Sequence, residues 1–237
     1  MKKSNKILLT YFLFAFLAIT VVHVTLYAKY KRGEFVSFDK VREERMEEIS
    51  LPNIKYVSVT GQQRCNILPA TEPKMKMVKM PGSRIKYTIV NDTLIITGDS
   101  VITKLDMDDG RRGYQTVNLY LPGTPVISAV YSDVYLIGAK NTTSAQSYVI
   151  NLESRSFLYA GDWNYKESFF HGIQVTAQSS NIRVDEAAKI DSLNLRSFNS
   201  TTENKSAYIK QLQLQLDKNS TILLQGGNLN DIKVVKE

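Results

Sequence analysis

The sequence contains a single cysteine, Cys65, and only two histidines, His23 and His171, among its 237 residues. One cysteine excludes an intramolecular disulfide, so a stable fold has to rest on its hydrophobic core. These three residues lie far apart and do not make a conventional zinc site, which takes several Cys or His ligands. No glycine-rich phosphate loop or nucleophile elbow is present either. We therefore predict no cofactor, no metal site and no catalytic residues.

Formal charge is absent from Ile7–Tyr27, an apolar run of 21 residues. At about 1.5 Å per residue, a helix of that length matches a hydrocarbon core of about 30 Å. A cleaved signal peptide is the competing interpretation, but the run is long for one and Ala28 has Leu26 two positions before it. We therefore predict that residues 1–32 are an uncleaved transmembrane signal anchor with basic flanks and the N-terminus inside.

A strongly basic body is also absent. Residues 1–32 carry six of the 30 Lys and Arg residues and none of the 23 acids, so 24 basic residues face 23 acidic ones in the remainder. A nearly neutral body lacks the basic face that nucleic-acid-binding domains present, so nucleic acid is not an expected partner. Residues 33–51 are charged, with apolar residues at near-helical spacing, which predicts a linker that is helical in part.

From residue 52 onward the apolar residues alternate with polar ones, which is typical of half-buried strands. This alternation predicts strands at Ile54–Gly61, Arg64–Leu68, Lys74–Met80, Ile85–Val90, Thr93–Thr97 and Val117–Leu121. Asn91-Asp92 predicts a tight turn. Met75 and Met77 could bind a soft metal, but their alternation with lysines favours half-buried strand positions. Asp106–Asp109 faintly resembles a calcium loop, and we interpret it as a solvated turn.

A pattern of strand, polar turn and second strand recurs from about Pro125 to Glu237. If Val130, Leu152, Val175, Leu195 and Leu214 are equivalent, the repeats measure 22, 23, 20 and 19 residues. A loose period of about twenty residues built from strands is typical of a β-solenoid. The fold class predicted for residues 52–237 is therefore all-β, a β-solenoid of the right-handed β-helix type behind one N-terminal transmembrane helix.

The loop between two of these repeats is the most aromatic part of the chain and contains its only tryptophan. Tyr159, Trp163 and Tyr165 are candidate contacts for a glycan or an envelope protein, because aromatic rings offer a large contact area. The alternative is that these rings pack the core, since Phe169-Phe170 adjoin a strand.

Three short phrases carry a resemblance to a known family: Tyr56–Gly61, Asn91–Gly98 and Val117–Pro122. In this order, and followed by the polar-apolar repeats, they resemble the bacterial head GIN domain family of autotransporter adhesin heads, over about residues 52–237. The resemblance implies a right-handed β-helix-like fold in an envelope or surface protein, with no catalytic residues to carry over. The chain is less glycine-rich than that family and adds the aromatic insertion near Trp163.

Together these features predict a non-enzymatic, single-pass membrane protein of the bacterial inner membrane whose extracytoplasmic domain binds or adheres. The alternative function is a β-helix enzyme, a lyase or hydrolase acting on polysaccharides. Its candidate residues are Arg183, Asp185, Glu186 and Asp191. A glycosidase needs two carboxylates about 5–10 Å apart across the scissile bond, and adjacent strand residues point to opposite faces.

Overall fold

The structure is a computed structural model that describes residues 3–34, 46–62, 64–78, 85–98, 116–162, 167–205, 207–225 and 229–236. The chain separates into two compact units, Met1–Arg45 and Met46–Glu237.

The described part of the first unit is one helix, α1 (Lys3–Lys31). Its stretch Asn5–Lys31 is long and apolar enough to cross a membrane, which confirms the predicted apolar helix, although a signal sequence would meet the same criteria. Polar side chains within it form hydrogen bonds with the backbone of the same helix. Thr20 Oγ1 and His23 Nδ1 lie 2.8 and 2.9 Å from the carbonyl oxygens four residues earlier. Internally satisfied polar groups suit a hydrocarbon environment.

The second unit is built from strands, and eighteen are found among the described residues. In chain order they are β1 (Met46–Ser50), β2 (Tyr56–Thr60), β3 (Arg64–Pro69), β4 (Lys74–Val78), β5 (Lys86–Val90), β6 (Thr93–Thr97), β7 (Thr116–Leu121), β8 (Val126–Val130), β9 (Asp133–Leu136), β10 (Gln146–Glu153), β11 (Phe157–Ala160), β12 (Ser168–Gln178), β13 (Asn181–Val184), β14 (Ala188–Phe198), β15 (Thr201–Lys205), β16 (Tyr208–Leu216), β17 (Thr221–Gln225) and β18 (Leu229–Lys236). The prediction of a mostly β chain behind one apolar helix is confirmed.

These strands form two open, nine-stranded sheets. Sheet A has the order β1-β4-β7-β3-β9-β11-β13-β15-β17, and sheet B has the order β18-β16-β14-β12-β10-β8-β2-β6-β5. From β8 to β18, successive strands alternate between the sheets, and each pairs in parallel with the next strand of its own sheet. Antiparallel pairs β1–β4 and β5–β6 lie at one end of each sheet.

Alternate side chains of both sheets pack into one hydrophobic core. The inward positions of sheet B share one register, in which Ile127, Ile150, Val175, Leu195 and Leu214 are successive partners. All five are buried, as expected for strands that stack their apolar side chains in columns.

This register corrects part of the predicted repeat. The equivalence of Val175, Leu195 and Leu214 is confirmed. Val130 and Leu152 were wrongly matched, because each lies further along its strand than the true partner. Leu152 lies two residues beyond Ile150 at another inward apolar position, so hydrophobicity alone does not choose between them. Val130 lies three residues beyond Ile127, at a half-buried outward position.

A row of stacked serines marks the corner at which the chain passes from sheet B to sheet A. We call the row the serine ladder, and all its members but Ser220 follow a residue with positive φ: Ser132, Ser156, Ser180, Ser200 and Ser220. The Ser132 amide donates to Ser156 Oγ at 3.2 Å, and the Ser180 amide donates to Ser200 Oγ at 3.0 Å. The Gln62 amide begins the row by donating to Ser132 Oγ at 3.1 Å. Buried backbone donors at the corner thus find acceptors in the next repeat.

The predicted linker 33–51 is wrong at its C-terminal end, where Met46–Ser50 forms strand β1 instead of continuing a helix. β1 pairs antiparallel with β4 and belongs to the second unit. Its Ile49 packs against the core, so tertiary pairing outweighs the helical spacing of the charged segment. Residues 35–45 lie outside the described residues.

Candidate binding face

A band of aromatic side chains crosses the outward face of sheet A. In β9 and β11 the inward positions, Val134 and Leu158, are buried in the core, so the alternating positions point away from it. Tyr135 of β9 is in register with Tyr159 of β11. With the residues contributed by β7 and the start of β11, these form the aromatic band: Tyr120, Tyr135, Phe157 and Tyr159.

The rings of three neighbouring strand positions contact one another. The Tyr135 ring centroid lies 6.0 Å from that of Phe157, edge-to-face, and 5.9 Å from that of Tyr159. Tyr159 is 8% exposed, while Tyr135 and Phe157 are half-buried. Packed rings lose little rotamer freedom on binding, so Tyr135 and Phe157 would contact a ligand at a low cost in side-chain entropy.

Cationic side chains lie over the tyrosine rings. The Arg64 guanidinium, on β3, lies 5.4 Å from the Tyr135 centroid. The Lys74 and Lys76 ammonium groups, on β4, lie 5.3 and 5.9 Å from the Tyr120 centroid. Attraction between a cation and the negative face of a ring orients these long side chains along the band.

Ion pairs occupy both flanks of the band. On one side Glu48 of β1 bonds to both lysines of β4, at 3.2 Å to Lys74 and 2.9 Å to Lys76. These bonds lower the pKa of Glu48. On the other side Arg183 of β13 donates from Nε and Nη2 to Glu203 Oε2 of β15, at 2.8 Å each. The flanking cations are therefore held in defined positions.

Asp133 of β9 lies on the same outward face, one strand from Arg64. Burial raises the pKa of its carboxyl from 3.8 to about 6, because desolvation penalises the charged form. The negative charge of this face is consequently reduced in mildly acidic solution.

Of the three predicted ligand contacts, the structure places Tyr159 in the aromatic band. Trp163 and Tyr165 lie outside the described residues. Phe170, from the neighbouring aromatic pair, points into the core, where its ring lies 6.2 Å from that of Tyr148. The described rings of the aromatic stretch thus divide between the core and the outward face of sheet A, and the role of Tyr159 as a ligand contact stays a prediction.

The residues considered for a polysaccharide-acting enzyme do not converge. Arg183 faces outward on sheet A and pairs with Glu203, whereas Asp191 lies on sheet B and pairs with His171 at 3.1 Å. Asp185, just after β13, is buried and its amide donates to Ala160 O at 2.9 Å, whereas Glu186 is exposed. Carboxylates on different sheets do not flank one glycosidic bond.

Metal-binding groups are also dispersed. Within the described part of the chain, no three His, Cys, Asp or Glu side chains form a cluster. Met75 is fully buried, Met77 packs against the core, and burial raises the pKa of Cys65 to about 12. These three are core residues, as their strand positions predict. Asp106–Asp109 lies outside the described residues.

Sequence reasoning missed Tyr120, Tyr135 and Arg64 as members of the binding face. Each occupies an outward position of a predicted strand or repeat. Because side chains along a strand alternate between its two faces, the sequence already indicated that these three point away from the core. Their proximity depends on the strand order of sheet A, in which β3 lies between β7 and β9. A systematic comparison of outward positions would have found the aromatic enrichment but not the neighbouring cations.

No family model and no curated protein matches the chain. Three solved structures resemble it weakly. A protein proposed to be an adhesin from Parabacteroides merdae is 8% identical over 80% of this chain and 95% of that chain, with a TM-score of 0.31. A second from Parabacteroides distasonis is 11% identical over 79% and 96%, with a TM-score of 0.28. A proposed cell adhesion protein from Clostridium sporogenes is 8% identical over 81% and 99%, with a TM-score of 0.31. These values are too low to establish a common fold or function.

Proposed function

We propose that this is a membrane-anchored, non-enzymatic protein of the cell envelope that presents a β-solenoid for binding or adhesion. The anchor is α1, and the binding surface is the aromatic band with its flanking cations. The observation that carries the proposal is the packing of the half-exposed rings of Tyr135 and Phe157, with the buried Tyr159 beneath them, on an outward sheet face, because aromatic side chains on a surface are typical of recognition sites.

The proposed solenoid is supported by the way in which successive strands from β8 to β18 alternate between two sheets. Each return to the same sheet adds one strand beside the previous one, which is how a solenoid grows. A right-handed turn is proposed because parallel crossovers are right-handed in the great majority of proteins. Membership of the bacterial head GIN domain family is part of the proposal. It rests on the phrases Tyr56–Gly61, Asn91–Gly98 and Val117–Pro122, whose apolar alternation fits β2, β6 and β7.

The proposed location is the bacterial inner membrane with residues 46–237 outside the cytoplasm. A chain carrying one epitope tag at each terminus tests this in a bacterial host. Retention of the N-terminal tag in the membrane fraction, with the C-terminal tag digested by protease added to spheroplasts, is the expected result. Loss of the N-terminal tag from the mature protein would identify α1 as a cleaved signal peptide instead.

The binding role is tested with the full chain in detergent micelles against a panel of envelope glycans and envelope protein extracts. Tyr135→Ala removes the central ring of the band. Tyr56→Ala is the matched control, since Tyr56 is 48% exposed on sheet B. Binding reduced by Tyr135→Ala and retained by Tyr56→Ala is expected. Turnover of any glycan, or binding that neither variant changes, would contradict the proposed role of this face.

A further inference from the structure

Cations and rings alternate in order across sheet A. From one side to the other, β4 carries Lys74 and Lys76, β7 carries Tyr120, β3 carries Arg64, β9 carries Tyr135, β11 carries Phe157 and Tyr159, and β13 carries Arg183. Neighbouring strands lie about 4.8 Å apart, so the five intervals from β4 to β13 span roughly 24 Å. A ligand that uses the whole arrangement has to be extended and to run across the strands.

The charge on this face is unequal. Among the described outward positions of sheet A, five cations accompany three acids: Arg64, Lys74, Lys76, Arg183 and Lys205 against Glu48, Asp133 and Glu203. The excess of cations is complementary to a ligand that carries regularly spaced negative charges.

The outward face of sheet B also carries a ring and cations, since Lys189 Nζ lies 5.7 Å from the Tyr208 centroid and the row of Gln174, Asn194 and Gln213 continues to Lys233. Sheet A differs in that its rings contact one another, with Tyr135 packed against Phe157 and Tyr159, and in that arginines lie beside this cluster. The ring cluster assigns the ligand to sheet A.

We propose that the aromatic band and its cations bind an acidic, carboxylate-bearing polysaccharide laid across the strands of sheet A. This inference rests on the proposed function and specifies its ligand. Arginine and lysine bind carboxylates, while the tyrosine rings suit the flat C–H faces of sugar rings. A polymer of glycerol phosphate supplies negative charge but no sugar rings in its backbone, so it uses only half of the arrangement.

The test compares ligands that differ only in charge. The full chain in detergent micelles is titrated with polygalacturonate, with its fully methyl-esterified form, with alginate and with poly(glycerol phosphate). We expect binding to a carboxylated polymer, at least tenfold weaker binding to the esterified form, and progressive loss of affinity as NaCl rises from 50 to 500 mM. Equal affinity for the esterified form, or a preference for the phosphate polymer, would overturn the inference.

Variants on the two sheets test which residues bind the carboxylated polymer. Lys74→Gln with Lys76→Gln, and separately Tyr135→Leu, should each lower affinity for the carboxylated polymer at least tenfold. Lys210→Gln and Tyr56→Leu on sheet B are the matched controls, and circular dichroism shows whether each variant is folded. If the sheet B variants lower affinity as much as the sheet A variants, the inference is wrong. Failure to bind either carboxylated polymer also overturns it, whereas the proposed function fails only if the full panel of envelope glycans and proteins yields no partner.

Discussion

Replacing Ser156 by alanine tests whether the serine ladder stabilises the second unit. Ser156 is fully buried, and its Oγ accepts a hydrogen bond from the Ser132 amide at 3.2 Å. The same hydroxyl lies 3.0 Å from Ala129 O and 2.6 Å from Glu153 O. Alanine fits the space but removes the acceptor, so the Ser132 amide is left buried without its partner.

The size of the effect follows from that orphaned amide. A buried donor without an acceptor costs about 1–3 kcal/mol. The lost hydroxyl donation adds to it only in part, because the single hydroxyl proton serves one of the two carbonyls at a time. We therefore expect a loss of about 2 kcal/mol in the free energy of unfolding. For a unit of this size, that corresponds to a melting temperature lowered by about 4–8 °C.

Urea titration followed by far-UV circular dichroism measures the change, with a lower midpoint at an unchanged m value as the expected signature. Ser192→Ala is the matched control, because Ser192 is an exposed strand residue of β14, and its change should stay within about 0.5 kcal/mol. Ser220→Ala should cost less than Ser156→Ala, since Ser220 is only half-buried. If Ser156→Ala costs no more than Ser192→Ala, the ladder does not stabilise the fold in the way described.

Three further changes test the fold. Asp133→Asn should raise the free energy of unfolding at pH 7.5 by about 1 kcal/mol or less, given partial solvent screening, and so raise the urea midpoint. Because the folded-state pKa of about 6 exceeds 3.8, the ionised carboxylate costs stability above that pKa, and the gain should vanish near pH 3.5. Gly98→Ala should lower the free energy of unfolding by about 1–3 kcal/mol, because the new Cβ overlaps backbone atoms. Gly123→Ala is the control, since its Cβ meets no atom within 4 Å and it bears only the strain of a φ of +72°. Equal urea midpoints for the two variants would contradict this. A fragment starting at Pro52 should aggregate more in size-exclusion chromatography than one starting at Met46, because removing β1 exposes the edge of β4. Identical elution profiles would contradict the assignment of β1 to the second unit.

Much of the strand content was predictable from local alternation. β6 has the predicted bounds Thr93–Thr97, and β3 extends one residue beyond its prediction. The helical linker failed at Met46–Ser50 because the pairing of β1 with a strand 26 residues or so further on is not a local property. Tyr159 was a predicted contact, but its neighbours come from other repeats. Their assembly into one band required the register.

The register of the repeats could be read from the sequence, but from the spacing of its polar residues and not from its apolar ones. The serines of the ladder recur at intervals of 24, 24, 20 and 20 residues. The inward column of sheet A, which runs through Val134, Leu158, Ile182, Thr202 and Ile222, has the same intervals. The apolar residues gave an incorrect repeat length, because each strand has more than one apolar position that can be matched to the next repeat.

A corner position allows no such exchange. The residue there has to supply a side-chain acceptor to a buried amide, and at four of the five corners it follows a positive-φ residue; a serine two positions away would do neither. The geometric demand of one hydrogen bond therefore fixes the repeat more sharply than the burial of many side chains does. Aligning the repeats on the corner serines Ser132, Ser156 and Ser180 brings Tyr135 beside Tyr159 and Arg183 from sequence alone, and so predicts the central row of the candidate binding face.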